Sequence, residues 1–363
     1  MAQIFRLIVG GLALRKQSFH QIDLFARTEG AKKWLGSKRS MVASDATFGR
    51  VLPLMNRSQL RTILREAYRL LRKQGHGTLS LPSGRKLRAA AVDGTCWGGR
   101  YASAVEILGK PPVVIDFEPA PGQGHELATS ETLLRRAVES FGKGFVDIVL
   151  GDGLYITQGM LRLCRNDLGT HLLVKTQELD GLNILKDAEA LFGAGREFGS
   201  DVEHRSGIDL VRNLRYEVWA ARGFRHEGFE EELKVARVVT EPLKGEAKRE
   251  TFWIITTDLN LSAEDMRELA HLRWWIENQG FRALNEAMNS KHVWTRGAKA
   301  AEVFEALMLM MLLSFMLVVT YHAEIDEEKL FRKCRVRRLT LKQLVEFWLM
   351  SIHEAQGLFA LTG

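Results

Sequence analysis

The chain has 363 residues, of which 46% are hydrophobic and 26% are charged. That length allows two or three domains with sizeable cores. Its three cysteines, Cys96, Cys164 and Cys334, lie far apart, which argues against a disulfide scaffold or a zinc knuckle and fits a reducing cytoplasm. The apolar run 306–321 is shorter than the roughly 20 residues of a membrane span, so we predict a buried core helix and no membrane contact.

Positive charge is concentrated in the first quarter of the chain. Residues 1–92 contain 18 Lys or Arg and four acids, a net charge of +14, and the total is +7, so the remaining residues carry −7. A basic segment ahead of a mildly acidic remainder indicates a nucleic-acid-binding module. A second basic cluster lies near the C-terminus: Lys329, Arg332, Lys333, Arg335, Arg337 and Arg338.

Residues 1–75 have helical patterns, and we predict a helical DNA-binding domain over 1–78. Ser44 and Asp45 can cap a short helix, and Asn56 can cap the next one. Apolar residues of that next helix repeat at helical spacing, and arginines fall on another face. The predicted DNA contacts on that face are Arg61, Arg65 and Arg69. Two capped helices with arginines along one side are typical of a helix-turn-helix-like DNA reader, and a solvated basic surface is the alternative.

Short apolar runs follow and predict a sheet over residues 85–175. The candidate strands are 87–93, 102–108, 113–117, 146–150 and 172–175, with helices over 127–141 and 155–164. Residues 176–250 are predicted to form a β-rich insertion, with strands at 210–219 and 233–239. The chain then returns to the core over 251–323, with a strand at 252–257 and helices over 263–288 and 298–321. A C-terminal helical region is predicted over 324–363.

Three carboxylates occupy contexts that indicate chemistry. Asp93 ends the apolar run of the first strand, Asp152 ends the run at 146–150, and Glu277 lies in the helix 263–288. Two acids at strand ends and a third on a later helix can converge on a pair of divalent metal ions. Each acid also has an ordinary explanation: an Asp-Gly turn for Asp93, a helix N-cap for Asp152, and an ion pair with Arg273 for Glu277.

The segments 93–95, 151–155 and 273–278 resemble the DDE transposases of bacterial insertion sequences, most closely the insertion-sequence-four family, over about residues 88–321. Spacings of 59 and 125 residues between the acids are similar to those of members with a β-rich insertion. The resemblance implies an α/β fold, with an RNase H-like mixed β-sheet flanked by helices. In such a fold the first and fourth strands are neighbours, which would bring Asp93 and Asp152 together.

The resemblance also implies an activity. A transposase of this family binds the terminal inverted repeats of its element and performs metal-dependent DNA cleavage and strand transfer into target DNA. The implied catalytic and metal-binding residues are Asp93, Asp152 and Glu277, with Mg²⁺ or Mn²⁺ as cofactor, and carboxylate oxygens suit these ions. Double-stranded DNA is the expected partner, a homodimer the expected active complex, and the nucleoid the expected location.

The family signature is only partly present. It reads Tyr, two residues, Arg, three residues, Glu, six residues, Lys; Arg273 and Glu277 match, but Ala270 and Leu284 replace the Tyr and the Lys. Two alternatives therefore stay open: a catalytically impaired, transposase-derived DNA-binding protein, and a non-transposing RNase H-like nuclease. Because seven residues make about two helical turns, we expect position 284 to share the helix face of Glu277.

Further residues are predicted to contact DNA near the acids. Arg273 lies one turn before Glu277 and is expected to hold a phosphate. Core packing is the favoured role for both Trp274 and Trp275; one of them could instead stack on a displaced base, and Trp275 is the candidate for that contact. Tyr155 and Lys175 are predicted to line the same cleft, as are His125 and Glu126; an exposed strand-end lysine is the alternative for Lys175.

Overall fold

The computed structural model describes residues 1–36, 43–109, 112–177, 182–193, 202–244 and 249–324. The predicted helical region 324–363 and its basic cluster therefore lie almost wholly outside the described residues. The helices are α1 Ala2–Ala13, α2 Phe19–Ala26, α3 Glu29–Leu35, α4 Asp45–Val51, α5 Arg57–Lys73, α6 Glu126–Phe141, α7 Gln158–Arg162, α8 Asn183–Gly193, α9 Ala263–Arg273, α10 Arg282–Met288 and α11 Ala300–Glu324.

The strands form one mixed sheet with helices against it, which confirms the α/β class. They are β1 Thr78–Ser80, β2 Lys86–Trp97, β3 Arg100–Ile107, β4 Val113–Pro119, β5 Ile148–Asp152, β6 His171–Thr176, β7 Val202–Asp209, β8 Leu214–Phe224, β9 Leu233–Pro242 and β10 Glu250–Thr256. Their order is β4-β3-β2-β5-β6-β10-β9-β8-β7, with β1 paired to β2 off this path. Only β2–β5 and β5–β6 are parallel among the described strands.

The centre of the sheet is apolar on both faces. Residues 89–92 of β2 are fully buried, as are residues 148–150 of β5. Continuous apolar runs of this kind are typical of strands that helices cover on both sides. The predicted adjacency of the first and fourth core strands is confirmed, since β2 pairs with β5.

The predicted β-rich insertion continues the same sheet. Strands β7, β8 and β9 add to the edge at β10, which pairs antiparallel with β6. Strand β7 was not predicted because its sequence, Val-Glu-His-Arg-Ser-Gly-Ile-Asp, lacks an apolar alternation. The turn after β7 is tied to α9, where Arg212 pairs with Asp209 at 2.6 Å and with Glu268 at 2.8 Å. The insertion therefore braces the helix that leads to Glu277.

The amino-terminal helices share the core of the sheet. Helix α4 and α5 are joined by a 3-10 turn at Leu52–Leu54, and the Asn56 side chain caps α5 by accepting a hydrogen bond from Gln59 N. The Ser314 hydroxyl of α11 lies within hydrogen-bond distance of two carbonyl oxygens, Met310 in its own helix at 2.7 Å and Val9 in α1 at 3.1 Å. Helices α1 and α5 both pack on α11, so the first 75 residues and the core form one continuous hydrophobic cluster.

Helix α11 is the central core helix of this cluster. Residues Ala300–Val318 are long and apolar enough to cross a membrane by length and composition alone, but 78% of that stretch is buried inside the protein. This agrees with the predicted buried helix, since the apolar surface of α11 is satisfied by α1, α5 and β4.

Two leucines of α11 provide a matched test of this packing. Leu312 is fully buried and Leu317 is 40% exposed. We expect Leu312→Ala to lower the free energy of unfolding by about 2–5 kcal/mol. Leu317→Ala should cost about 1 kcal/mol or less, because little apolar surface is lost there. Chemical denaturation measures both values, and equal losses would contradict the assigned orientation of α11.

Candidate active site

The parallel pairing of β2 and β5 places two of the three predicted acids side by side. Ala91 is opposite Leu150, and Asp93 and Asp152 each follow two residues later on their own strands. Side chains two residues apart in a strand share a face, and neighbouring strands are about 4.8 Å apart. Asp152 is in turn opposite Lys175 of β6. Asp93, Asp152 and Lys175 thus form a row across one face of the sheet.

Backbone N–H groups hold one oxygen of each aspartate. Gly94 N donates to Asp93 Oδ1 at 2.9 Å, and Leu154 N donates to Asp152 Oδ1 at 2.9 Å. The capping role expected as the alternative for Asp152 is therefore present. The Asp-Gly turn expected for Asp93 is absent, since β2 continues through Gly94 to Trp97.

The third acid, Glu277, reaches the pair through Arg273. The Arg273 guanidinium lies 2.9 Å from Glu277 Oε1 and 3.5 Å from Asp93 Oδ2. The ion pair expected as the alternative for Glu277 is thus present, and it extends to Asp93. Trp97 packs edge-on against Phe281, with ring centroids 5.3 Å apart, and this contact fixes the segment after Glu277 over β2.

A fourth carboxylate, Glu126, lies beside the same strand. Its Oε1 accepts hydrogen bonds from Gly94 N at 3.0 Å and from the Tyr155 hydroxyl at 2.9 Å. The predicted DNA contact by Tyr155 does not fit this arrangement, because Tyr155 is fully buried and its hydroxyl also meets Ser130. Tyr155 instead holds Glu126 in place.

The crowding of acids changes the protonation of Asp93. Burial, together with the negative charges of Glu277, Glu126 and Asp152, raises the pKa of Asp93 to about 7, although Arg273 opposes the shift. Asp93 is 8% exposed, so water screens these charges poorly. Raised carboxyl pKa values of this kind cluster at functional sites.

The donor chemistry around Asp93 fits a divalent metal ion. Carboxylate oxygens are the ligands that Mg²⁺ and Mn²⁺ prefer. No three His, Cys, Asp or Glu side chains of the described residues already form a ligand set, because Arg273 stands between Asp93 and Glu277. The Glu277 side chain is 43% exposed and can turn, and one oxygen of Asp152 has no hydrogen bond. The metal would be held by Asp93, Asp152 and Glu277. Glu126 lies nearby and contacts Gly94, the residue that follows Asp93.

The helix that carries Glu277 departs from its prediction. A single helix was predicted over 263–288, but α9 ends at Arg273 and a π-helical turn spans Ile276–Phe281 before α10. A π turn holds more residues than an α turn, so it rotates the following side chains. The predicted shared face of Leu284 and Glu277 is therefore wrong: Leu284 is fully buried, as is Ala270.

The tryptophans differ in exposure. Trp274 is 52% exposed beside Arg273, whereas Trp275 is half-buried against the hydrophobic core. The assignment of base stacking to Trp275 stays a prediction, and Trp274 offers the larger free aromatic surface. Lys175 is also largely buried, and its ammonium lies 4.2 Å from the Phe252 ring centre. Burial, and then the charge of Arg273, lowers the pKa of Lys175.

The three predicted arginines of α5 have partners within the protein. Arg61 pairs with Asp116 at 3.2 Å and with Glu305 at 3.0 Å, which ties α5 to β4 and α11. Arg65 and Arg69 both pair with the exposed Glu66. Arg61 thus has a structural role that was not predicted. DNA contact by these residues remains a prediction.

Glu106 of β3 was not predicted as a residue of the site, because nothing in the surrounding Ala-Val-Glu-Ile sequence distinguishes it. It is fully buried, neither carboxyl oxygen has a hydrogen-bond partner, and it abuts Gly280 of the π turn. A β-bulge between Val105 and Glu106 directs it there. Burial, and then the charge of Asp93, raises the pKa of Glu106 well above its ordinary value, which favours the neutral acid.

Comparison with known protein families finds no family model that matches this chain, and comparison with curated proteins finds no relative.

The raised pKa of Asp93 predicts a pH-dependent effect of Asp93→Asn on stability without metal. The folded protein retains a proton that the unfolded chain loses above about pH 4, so this carboxyl destabilises the fold progressively as pH rises from 4 to 7. Asp93→Asn removes this carboxyl and with it the destabilisation at high pH. We expect thermal unfolding in EDTA to show a gain on the order of 2–4 kcal/mol at pH 8 and little gain at pH 4.5. An equal gain at both pH values would contradict the shift.

The burial of Leu284 predicts that the signature lysine cannot be restored here. Leu284→Lys places a charge in the core beside the π turn, so we expect a loss of stability of about 3 kcal/mol or more. Glu286→Lys, on the exposed face of the same helix, is the matched control and should cost about 1 kcal/mol or less. A stable Leu284→Lys protein with tighter DNA binding would instead place this position in the cleft.

Proposed function

We propose that this protein is a metal-dependent DNA transposase, with an RNase H-like core whose catalytic acids are Asp93, Asp152 and Glu277. One observation carries the proposal: neighbouring parallel strands place Asp93 beside Asp152, and Arg273 links Asp93 to Glu277. Asp152 and Glu277, which are 59 and 184 residues from Asp93 in the sequence, lie close enough to Asp93 for their charges to act on it. A purely structural role for them does not explain why the buried Asp93 lies among other carboxylates.

The strand order supports the RNase H-like part of the proposal. Strands β4-β3-β2-β5-β6 form an antiparallel meander followed by two parallel strands, with α6 and α7 as the connections. Asp152 ends the parallel strand β5, and Asp93 lies two residues past the last parallel pair of β2, the end at which open α/β sheets bind ligands.

The roles of the protein groups follow from their surroundings. Divalent ions, when bound, would activate the attacking water or hydroxyl and stabilise the leaving 3′-oxygen. Asp93 must lose its proton and its contact with Arg273 before it can act as a ligand. Arg273 is then free to meet a DNA phosphate close to Glu277. Double-stranded DNA is the proposed substrate, a homodimer the proposed active complex and the nucleoid the proposed location.

A second candidate is a DNA-binding protein that has lost catalysis. Ala270 and Leu284 favour it, because both are fully buried where the family has residues associated with gripping DNA. The two candidates share DNA binding and differ in cleavage, so a cleavage assay separates them.

The test is cleavage of DNA that carries the ends flanking the coding region, by purified full-length protein with Mg²⁺ or Mn²⁺. We expect Asp93→Ala, Asp152→Ala and Glu277→Ala each to abolish cleavage, a loss of at least about 10³-fold, because each acid supplies metal ligands. Glu286→Ala is the control, since Glu286 is exposed and pairs with Arg282 rather than with Arg273.

Gel-shift binding by the same variants keeps the result interpretable. DNA binding should survive in all of them, because the basic residues are untouched. Wild-type protein that binds these ends but never cleaves them would favour the second candidate. Cleavage within tenfold of wild type for any one variant would remove that acid from the site.

A further inference from the structure

A groove of about 400 Å³ lies at the far end of the β2–β3 hairpin. The hairpin turn Gly98–Gly99 forms one wall, residues 290–297 form the other, and the first turns of α11 close the base. Gly98 N donates to the carbonyl oxygen of Ser290 at 2.9 Å and holds the walls together. Both glycines have positive φ, and a side chain at position 98 would press on Phe304.

The rim of the groove is strongly basic. Exposed cationic or titratable side chains surround it: Arg100, Lys291, His292, Arg296 and Lys299. Residues 289–301 contain no acid, and the first one, Glu302, lies in the first turn of α11; none of these five side chains has an ion-pair partner among the described residues. Long cations grouped without counter-ions attract a polyanion.

Hydrogen-bond donors without partners lie inside the groove. The Ser290 hydroxyl is 1% exposed and makes no hydrogen bond, and the indole N–H of Trp294 is likewise buried and unsatisfied. Such orphaned donors are rare in folded proteins and are costly to maintain. The N-terminus of α11, a 25-residue helix, opens beside them and adds positive potential. The unpaired donors, the helix N-terminus and the cations together can bind the negatively charged oxygens of a phosphate.

We propose that this groove binds a backbone phosphate of duplex DNA, at a contact separate from the carboxylates. The proposal rests on the proposed function in so far as DNA is the ligand. Gly99 lies six residues beyond Asp93 along the β2 direction, about 20 Å away at the rise of a strand. One turn of duplex DNA is about 34 Å, so DNA lying over the acids also reaches the groove. The cations outside the groove, Lys291 and Lys299, favour an extended polyanion over a small phosphate.

The test compares DNA affinity and its salt dependence by fluorescence anisotropy in EDTA, so that no cleavage occurs. The variant is Arg100→Gln with Arg296→Gln, and the matched control is Arg215→Gln with Arg225→Gln. The control arginines are exposed at the β7–β8 side of the sheet. If each groove arginine neutralises one phosphate, the slope of log K against log salt falls by about 1.8. Affinity at 150 mM salt should fall about tenfold, and the control should stay within twofold of wild type.

Ser290→Ala gives a signature that a purely structural role does not. It removes a buried donor that lacks a partner, so the midpoint of thermal unfolding without DNA should rise. The same variant should bind duplex DNA several-fold more weakly, because the phosphate loses a donor. A variant that loses both stability and affinity would mark Ser290 as a packing residue and count against the proposal.

The outcomes separate this proposal from the proposed function. A groove variant that binds DNA with wild-type affinity and slope overturns the groove assignment, even where metal-dependent cleavage persists. Loss of cleavage in the acid variants with a tenfold effect in the groove variant supports both. Wild-type protein that binds no duplex at 50 mM salt overturns both. Inorganic phosphate that stabilises wild type but not the groove variant, with duplex affinity unchanged, would assign the groove to free phosphate instead.

Discussion

The pairing of β2 with β5 is the contact on which the rest of the architecture depends. Residues 89–91 and 148–150 form it, and they are separated in sequence by the β3–β4 meander and α6. Because the three β2 residues are alanines that are fully buried, α6 on one face and the π turn on the other both approach this strand. Asp93 and Asp152 lie two residues beyond the last pair of β2 and β5, so their neighbours are fixed by the same pairing. The relative positions of Asp93 and Asp152 are thus set by backbone hydrogen bonds between strands.

The proximity of several carboxylates around Asp93 lowers the stability of the fold. The charges of Glu277, Glu126 and Asp152 act on Asp93 there, and Arg273 contacts both Asp93 and Glu277. Like charges in a poorly solvated site are unfavourable, so the fold must compensate elsewhere. Ion pairs also brace α9 and the start of the insertion: Arg212 binds Glu268 with both Nη atoms, and the ammonium of the buried Lys234 meets Glu203 at 2.5 Å. The insertion supplies both of these contacts.

The core strands and most helices were predictable because their apolar runs are long and bounded by Gly, Pro or capping residues. Strand β7 and helix α8 were not predicted, since their residues are mostly polar or lie between segments without clear periodicity. At the site, the adjacency of Asp93 and Asp152 followed from strand order. The roles of Tyr155, Leu284 and Glu106 could not be predicted in this way. They depend on burial and on a π turn, which result from tertiary packing and not from regular helical periodicity. The ion pairs of Arg61 were unpredictable for the same reason. Its partners, Asp116 and Glu305, lie 55 and 244 residues away in the sequence.

The packing of α1 on α11 also fixes the order in which this protein can be completed during synthesis. Helices α2 and α3 pack on α1 soon after it is made, but α11 lies about 300 residues later, so the part of α1 that α11 covers lacks that partner until nearly the whole described chain has left the ribosome. At about 5–20 residues per second, that delay lasts some tens of seconds. Nascent chains of this protein therefore present an incompletely covered apolar surface on α1, which holdase chaperones are suited to cover.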